Sequence, residues 1–179
     1  KANYICGVPT LYEALSKADE MQEADLACLE AAFCGGDSLT PELKDRFDKF
    51  LADHGSKSKL REGYGLTETV TVCSVMPGEF AERNGIGLPL ANIKMKIIDS
   101  ESRETLPANK IGEICVSGPT TMLGYLNDKE ATSHAIVSHE DGLDWVETGD
   151  IGYQDEDGFF HFKGRLKRTL KVSGIPVFP

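Results

Sequence analysis

The hydrophobic pattern of this 179-residue chain changes near residue 80, and this change restricts the folds that the chain can adopt. Before the change, apolar residues recur at helical spacing over residues 10–18 and 41–53, and short apolar runs at residues 4–8 and 29–34 are typical of buried strands. This alternation of strands and helices predicts part of a parallel α/β layer, in which ligands usually bind at the ends of the strands.

After the change, alternating and β-branched residues replace the helical spacing. Residues 93–98 alternate, residues 111–117 form a second predicted strand, and residues 159–163 follow a hairpin turn at residues 155–158. The acidic turn resembles the start of a calcium loop, but no Glu follows at the twelfth position, so the hairpin is favoured. We therefore expect a small, distorted, largely antiparallel and barrel-like sheet in this half of the chain.

Two domains follow from the pattern. We assign residues 1–80 to the α/β part and residues 81–166 to the β-barrel-like subdomain. Within the α/β part, Thr40 is the predicted N-cap of the second helix. The side chains of this helix that are predicted to face inward are Leu43, Phe47, Phe50 and Leu51. Thr10 is predicted to cap the first helix, whose buried face includes Leu11.

Composition excludes several classes of function. A formal net charge of -10 disfavours non-specific nucleic-acid binding, which depends on Lys and Arg at phosphates. No apolar run approaches the roughly 18 residues that a membrane-spanning helix needs. The five widely spaced cysteines form no C-x-x-C pair, which favours buried reduced thiols and a cytoplasmic location. The chain starts at Lys1 without an initiator Met and ends abruptly at Pro179, so we expect a piece of a longer protein.

The stretch Gly-Tyr-Gly-Leu-Thr-Glu-Thr at residues 63–69 brings several kinds of chemistry together. Its two glycines let the backbone turn sharply and approach a ligand, and Tyr64 offers a flat aromatic ring. Thr67 offers a hydroxyl, and Glu68 offers a carboxylate of the kind that Mg²⁺ shares with substrate phosphates. A second interpretation is equally open from these residues alone: a turn in which Thr67 caps a helix and Glu68 favours the helix dipole.

Further motifs occur in a fixed order around this stretch. Gly-Gly-Asp-Ser-Leu lies upstream at residues 35–39, and Glu-Thr-Gly-Asp lies downstream at residues 147–150. Gly-Arg-Leu-Lys-Arg follows at residues 164–168, and Lys-Val-Ser-Gly at residues 171–174. Together with Tyr-Gly-Leu-Thr-Glu-Thr, these motifs resemble the adenylate-forming superfamily of acyl-CoA synthetases, luciferases and adenylation domains of peptide synthetases.

This resemblance implies an ATP site. Thr67 and Glu68 are the implied catalytic residues, with Thr67 on the α-phosphate and Glu68 as the ligand of Mg²⁺. Asp150 and Arg165 are implied to fix the ribose, although the residues alone suggest only a turn residue and a surface charge. The implied nucleotide-binding residues are Gly35, Gly36, Asp37, Gly63, Tyr64, Gly65, Thr67, Asp150, Phe162 and Arg165.

The adenine ring is implied to lie against the loop of residues 35–37 and to stack on Tyr64. The resemblance further implies a two-step reaction, in which a carboxylic acid and ATP form an acyl-adenylate and coenzyme A then displaces AMP. Lys167 matches the hinge of a rotating C-terminal lid, which residues 167–179 would begin. The rest of the lid and a phosphate loop before residue 1 are missing, so we expect the chain alone to be inactive.

The last residues favour one branch of the superfamily. Ser-Gly-Ile-Pro-Val-Phe-Pro at residues 173–179 resembles acyl-CoA ligases rather than amino-acid adenylation domains, which usually carry a basic Lys-Ile-Arg-Gly form. Arg168 departs from the acidic residue that is common at that position. The alternatives are an amino-acid or aryl-acid adenylation domain, or a non-catalytic scaffold module of the same fold.

Overall fold

The computed structural model describes residues 2–166, 170–172 and 175–177. The chain divides into two units: residues 1–64 with 75–87, and residues 65–74 with 88–179. The expected division into residues 1–80 and 81–166 stays a prediction about domains.

The first unit is built on parallel strands connected by helices. Strand β1 pairs with β2, and β2 pairs with β3, in parallel. The two helices follow β1 and β2, so each connects one strand to the next parallel strand, as in βαβ units. The elements are β1 (Tyr4–Gly7), α1 (Pro9–Lys17), β2 (Ala31–Cys34), α2 (Pro41–Asp53) and β3 (Leu60–Gly65).

Helix α2 forms as its local sequence predicts. The Thr40 hydroxyl accepts a hydrogen bond from the Leu43 amide at 3.2 Å, and a proline occupies the first turn. At the other end, His54 Nδ1 lies 2.7 Å from the Phe50 carbonyl. The side chains predicted to face inward are all buried: Leu43, Phe47, Phe50 and Leu51.

Helix α1 differs from its prediction. Its N-cap is Val8 and not Thr10, which lies inside the helix. The buried side chain is Tyr12, whereas Leu11 is 38% exposed. The Tyr12 hydroxyl donates to the Phe33 carbonyl in β2, so a partner distant in sequence selects the inward face.

The second unit contains the antiparallel sheet that the alternating pattern predicts. Its strand order is β10-β9-β7-β6, and β8 pairs with β9. Together with the parallel layer, this sheet confirms the expected fold class. The remaining elements are β4 (Val72–Val75), β5 (Leu88–Pro89), β6 (Lys94–Ile98), β7 (Gly112–Ser117), α3 (Lys129–Ala135), β8 (Ile136–Ser138), β9 (Asp144–Gln154), β10 (Phe160–Arg165), β11 (Leu170–Val172) and β12 (Ile175–Val177).

Side chains from three strands of the antiparallel sheet form a small buried apolar cluster, which consists of Ile98, Cys115 and Trp145. The prediction of buried cysteines is correct for three of the five, since Cys6 is exposed and Cys28 is half-buried. Among the described helices, none has the length and apolar character needed to cross a membrane.

Candidate functional site

In the first unit, the predicted adenine loop lies at the ends of adjacent strands. Residues 35–37 follow β2, which runs parallel to β3 with Cys34 opposite Glu62. A Cβ atom added to Gly35 would lie 3.0 Å from the Gly63 carbonyl oxygen, so the two backbones approach closely and a side chain there would be tightly packed. The motif glycines therefore meet at one edge of the sheet, where α/β layers bind ligands.

Glu62 is a residue of this edge that the sequence did not reveal. Its Oε1 accepts a hydrogen bond from the Leu39 amide at 3.2 Å, which connects β3 to the segment after the loop of residues 35–37. Burial raises the pKa of Glu62 to about 7, although the bond from Leu39 acts in the opposite direction. Tyr64, two residues further along β3, is 9% exposed.

The signature stretch continues as a tight turn. Leu66 is extended, and a 3₁₀ turn follows at Thr67–Thr69. The Thr69 hydroxyl donates to the Leu66 carbonyl at 3.0 Å and closes this turn. The interpretation of Thr67 as a helix cap is therefore wrong, and Thr67 is exposed.

Position 65 has no room for a side chain. A Cβ atom there would lie 2.3 Å from the Thr71 carbonyl oxygen and 2.7 Å from the Val72 Cα. No side chain fits between the two chain segments at this point. The return of the backbone after the signature stretch therefore depends on a glycine at this position.

Glu68 is fixed by a segment distant in sequence. The Tyr125 hydroxyl donates to Glu68 Oε1 at 2.6 Å, and the Met122 amide donates to the Glu68 carbonyl at 2.8 Å. The hydrogen bond to Glu68 raises the pKa of Tyr125, which keeps the phenol protonated as a donor. Thr132 of α3 supports Tyr125 in turn, because its hydroxyl accepts the Tyr125 amide at 2.9 Å.

The Glu68 carboxylate fits an ion that is shared with a substrate. In the described part of the chain, no three His, Cys, Asp or Glu side chains form a group that could hold a metal. Mg²⁺ commonly takes one or two carboxylates and completes its shell with substrate phosphate oxygens. Tyr125 occupies one lone pair of Oε1, so Glu68 could offer its other carboxylate lone pairs to such an ion.

Asp150 and Arg165 lie on adjacent strands of the antiparallel sheet. Asp150 in β9 pairs in register with Arg165 in β10, and Arg165 Nε lies 3.0 Å from Asp150 Oδ1. The Asp150 side chain is 4% exposed and the Arg165 side chain is 62% exposed. Phe162, on the same strand as Arg165, pairs with Gly152 and is half-buried.

Some of the predicted residues fall outside the part of the chain that the structure describes. The predicted hinge residue Lys167 is outside the described residues, as are Arg168 and residues 173–174. Helix α3 begins at Lys129, because Asp128 caps it by accepting the Ala131 amide at 2.8 Å.

A buried carboxylate paired with an arginine can accept hydrogen bonds from sugar hydroxyls, and a carboxylate such as that of Glu68 can share a cation with phosphates. The motifs that carry these residues are those that resemble the adenylate-forming proteins. A model of the AMP-binding enzyme family matches residues 1–126. The chain belongs to this family.

Individual relatives are similar over almost the whole chain. Luciferin 4-monooxygenase of Luciola mingrelica is 38% identical over 179 residues, which cover 100% of this chain and 31% of the relative. Long-chain-fatty-acid–CoA ligase of Salmonella typhimurium is 38% identical over 174 residues, which cover 97% of this chain and 29% of the relative. The chain thus spans about a third of their length at most.

Solved structures share the fold. The crystal structure of ATP-bound MatB from Rhodopseudomonas palustris superposes with a TM-score of 0.85 at 27% identity. The similarity covers 100% of this chain and 34% of that protein.

Proposed function

We propose that this chain is the nucleotide-binding part of an AMP-forming ligase that joins a carboxylic acid to coenzyme A. In the first step the carboxylate attacks the α-phosphate of ATP, which gives an acyl-adenylate and releases pyrophosphate. In the second step the coenzyme A thiol attacks the acyl carbon, and AMP leaves with the electron pair of the broken bond. Membership of the AMP-binding enzyme family supports the ligase class.

The observation that carries this proposal is the pair of Asp150 and Arg165. A buried carboxylate keeps its oxygens in a fixed place, and the Arg165 contact at 3.0 Å offsets part of the cost of its charge. Such a carboxylate can accept both hydroxyls of a ribose, and the exposed guanidinium can donate to sugar or phosphate oxygens. In this proposal the two residues hold the ribose, and Phe162 lines the same region.

The signature turn would handle the phosphates. Thr67 is exposed, so its hydroxyl is available to donate to an α-phosphate oxygen. Glu68 would hold Mg²⁺ with the phosphates, and Tyr125 would keep the carboxylate in place. A bound Mg²⁺ would neutralise part of the negative charge of the phosphates. Thr67 and Glu68 then position the α-phosphate for attack by the acid.

The first unit would contribute to adenine binding. The loop of residues 35–37 leaves the sheet edge with Gly36 in the left-handed region, at a φ of +79°. Asp37 Oδ1 accepts the Ser38 amide at 2.8 Å, which stabilises the loop. We propose that this loop, Gly63 and the ring of Tyr64 contact the base, as the family resemblance implies.

Lys167 remains the proposed hinge, and a cytoplasmic location remains a proposal as well. An amino-acid or aryl-acid adenylation domain would use the same nucleotide-binding residues with a different acid. The identity of the acid substrate therefore distinguishes this alternative from the proposed ligase. A non-catalytic scaffold would have no chemical need for Glu68 to be fixed by Tyr125.

Exchange of pyrophosphate into ATP, in a longer protein that contains this chain, tests the proposal. Exchange should depend on both the acid and Mg²⁺, and Glu68→Ala should abolish it. The matched control is Glu140→Ala, which removes an exposed carboxylate from the second unit, the unit that also contains Glu68. Undiminished exchange in Glu68→Ala would contradict the metal role, and exchange without any acid dependence would contradict the ligase. We expect the 179-residue chain alone to catalyse no exchange.

A further inference from the structure

The segment that carries Asp150 interrupts the pairing of β7 with β9. Glu113 pairs with Ile151 and Cys115 pairs with Glu147, so residues 148–150 of β9 lie opposite the single residue Ile114 of β7. Irregularities of this kind bend a strand and redirect its side chains, and they are frequent beside functional sites. The direction of the Asp150 side chain therefore depends on how this interruption is held.

Three hydrogen bonds hold the interruption. The Thr148 hydroxyl donates to the Ile114 carbonyl at 2.7 Å and accepts the Asp150 amide at 3.0 Å. The Gly149 amide donates to Glu113 Oε1 at 2.8 Å. Glu113 thus supplies the side-chain acceptor for the amide of Gly149, the residue that immediately precedes Asp150.

Gly149 itself shows why this contact matters. Its φ is +69°, in the left-handed region, and a Cβ atom there would meet nothing within 4 Å. A side chain at this position would therefore meet no steric obstacle, and the requirement for glycine comes from its backbone conformation. Of the three bonds, the one to Glu113 acts on Gly149 directly, because it fixes the direction of the Gly149 amide.

Burial of the Glu113 carboxylate at this position lowers the stability of the fold. It is 6% exposed, and burial raises its pKa, to which the nearby carboxylates of Glu147 and Asp150 add. The Gly149 amide and Arg103 act in the opposite direction. A buried carboxylate near two others costs stability, and such costs are common where a residue serves a site.

We infer that Glu113 is a positioning residue, which holds the Gly149 amide and thereby aims the Asp150 carboxylate at the 2′ and 3′ hydroxyls of a ribose. This inference rests on the proposed nucleotide function. It makes recognition of the sugar hydroxyls depend on a side chain outside the motifs on which the resemblance to the family was based.

Two variants separate the reach of Glu113 from its charge. Glu113→Gln keeps the length of the side chain and an oxygen acceptor for Gly149 while it removes the charge. Glu113→Asp keeps the charge and the burial but withdraws the carboxylate by one methylene. Affinities for AMP and for 2′,3′-dideoxy-AMP are then measured by calorimetry for the unmodified chain, for both variants and for Asp150→Ala.

The unmodified chain should prefer AMP over the dideoxy form by about tenfold or more, as expected for hydrogen bonds to a charged acceptor. Glu113→Gln should keep this preference, and Glu113→Asp should lose most of it with little change in affinity for the dideoxy form. A merely structural role would weaken both ligands equally. Combining Glu113→Asp with Asp150→Ala should add no further loss of preference.

The possible failures differ in pattern. If Glu113→Asp keeps the preference for AMP, or if both ligands weaken together, Glu113 does not position Asp150 and the inference is overturned. If the unmodified chain and Asp150→Ala show no preference between the two ligands, the ribose role of Asp150 is wrong, and the inference fails with it.

Discussion

Arg165 lies directly opposite Asp150 in the pairing of β10 with β9, and its Nε is 3.0 Å from Asp150 Oδ1. This register depends on a shift between Phe162 and Gly164, because Phe162 pairs with Gly152 and Gly164 pairs with Ile151. Without that shift, the antiparallel register would place Gly164 opposite Asp150. A β-bulge therefore creates the contact on which the proposed ribose site depends.

Removing the hydroxyl of Tyr125 should weaken the use of Mg²⁺ without unfolding the protein. Tyr125→Phe deletes the 2.6 Å bond to Glu68, and Tyr125 is 40% exposed, so we expect a loss of about 1 kcal/mol or less in the free energy of unfolding. The Mg²⁺ concentration that supports half-maximal pyrophosphate exchange in the longer protein should rise severalfold.

Tyr4→Phe is the matched control for this experiment. It removes another tyrosine–glutamate bond of 2.6 Å, from Tyr4 to Glu30 in the first unit. The control should leave the Mg²⁺ dependence unchanged. An equal Mg²⁺ dependence in Tyr125→Phe and the unmodified protein would show that Tyr125 does not position Glu68.

Glu62 should make the stability of this chain depend on pH. Its pKa is raised from an ordinary value of 4.5 to about 7, so the folded state binds its proton more tightly than the unfolded state. The resulting stabilisation is complete below pH 4.5 and is lost as the pH rises through about 7. The loss amounts to about 3 kcal/mol for a shift of this size.

Glu62→Gln isolates that contribution, because glutamine retains an oxygen acceptor for the Leu39 amide but does not titrate. Urea unfolding between pH 4.5 and pH 8 should give a shallower decline in the free energy of unfolding for the variant. Equal slopes for the two proteins would mean that Glu62 titrates normally.

Two ion pairs on α2 should differ greatly in their contribution to stability. Lys44 Nζ lies 2.6 Å from Asp48 Oδ2, with side chains 5% and 8% exposed. Asp48 Oδ1 also accepts the Leu60 amide at 2.6 Å, at the start of β3. Asp48→Asn leaves a buried lysine without its counter-charge and should cost about 3 to 5 kcal/mol.

The pair of Lys49 and Asp53 supplies the comparison on the same helix. Its spacing is identical and its distance is 2.7 Å, but the side chains are 75% and 55% exposed. Asp53→Asn should therefore change the free energy of unfolding by about 0.5 kcal/mol or less. Similar losses for Asp48→Asn and Asp53→Asn in thermal or urea unfolding would contradict the assignment of Asp48 as a buried partner.

A side chain at Gly65 should destabilise the signature stretch. Gly65→Ala would place a Cβ 2.3 Å from the Thr71 carbonyl, and this overlap should cost about 1 to 3 kcal/mol or more. Gly142→Ala is the control, since Gly142 has a φ of +75° but open space around it. That control should cost only about 1 kcal/mol, and a smaller loss at Gly65 than at Gly142 would refute the close approach.

Local signals allowed part of this fold to be predicted. Helix α2 was predicted with its cap and its buried face because Thr40 and the following proline act within one turn of the chain. The strands of the second unit were predicted because alternation of residue type along a strand is also a local pattern. Helix α1 was predicted with the wrong cap and the wrong face, since the partner of its buried residue Tyr12 lies in β2.

The contacts within the candidate site were harder to predict. Nothing in the spacing of the sequence connects Tyr125 to Glu68, and nothing connects Glu113 to Gly149. Both pairs arise from strand register and loop packing, which a linear pattern does not record. The resemblance to a family indicated Asp150, but the bulge that brings Arg165 opposite it is visible only in the structure.

Calorimetric titration of AMP into the 179-residue chain tests the central claim most directly, with Asp150→Ala and Asp144→Ala as paired variants. Asp144 is an exposed residue at the start of the same strand, β9. The account predicts binding by the unmodified chain and by Asp144→Ala, and a loss of affinity of about tenfold or more in Asp150→Ala. AMP binding that is equally strong in Asp150→Ala would contradict a ribose site at Asp150.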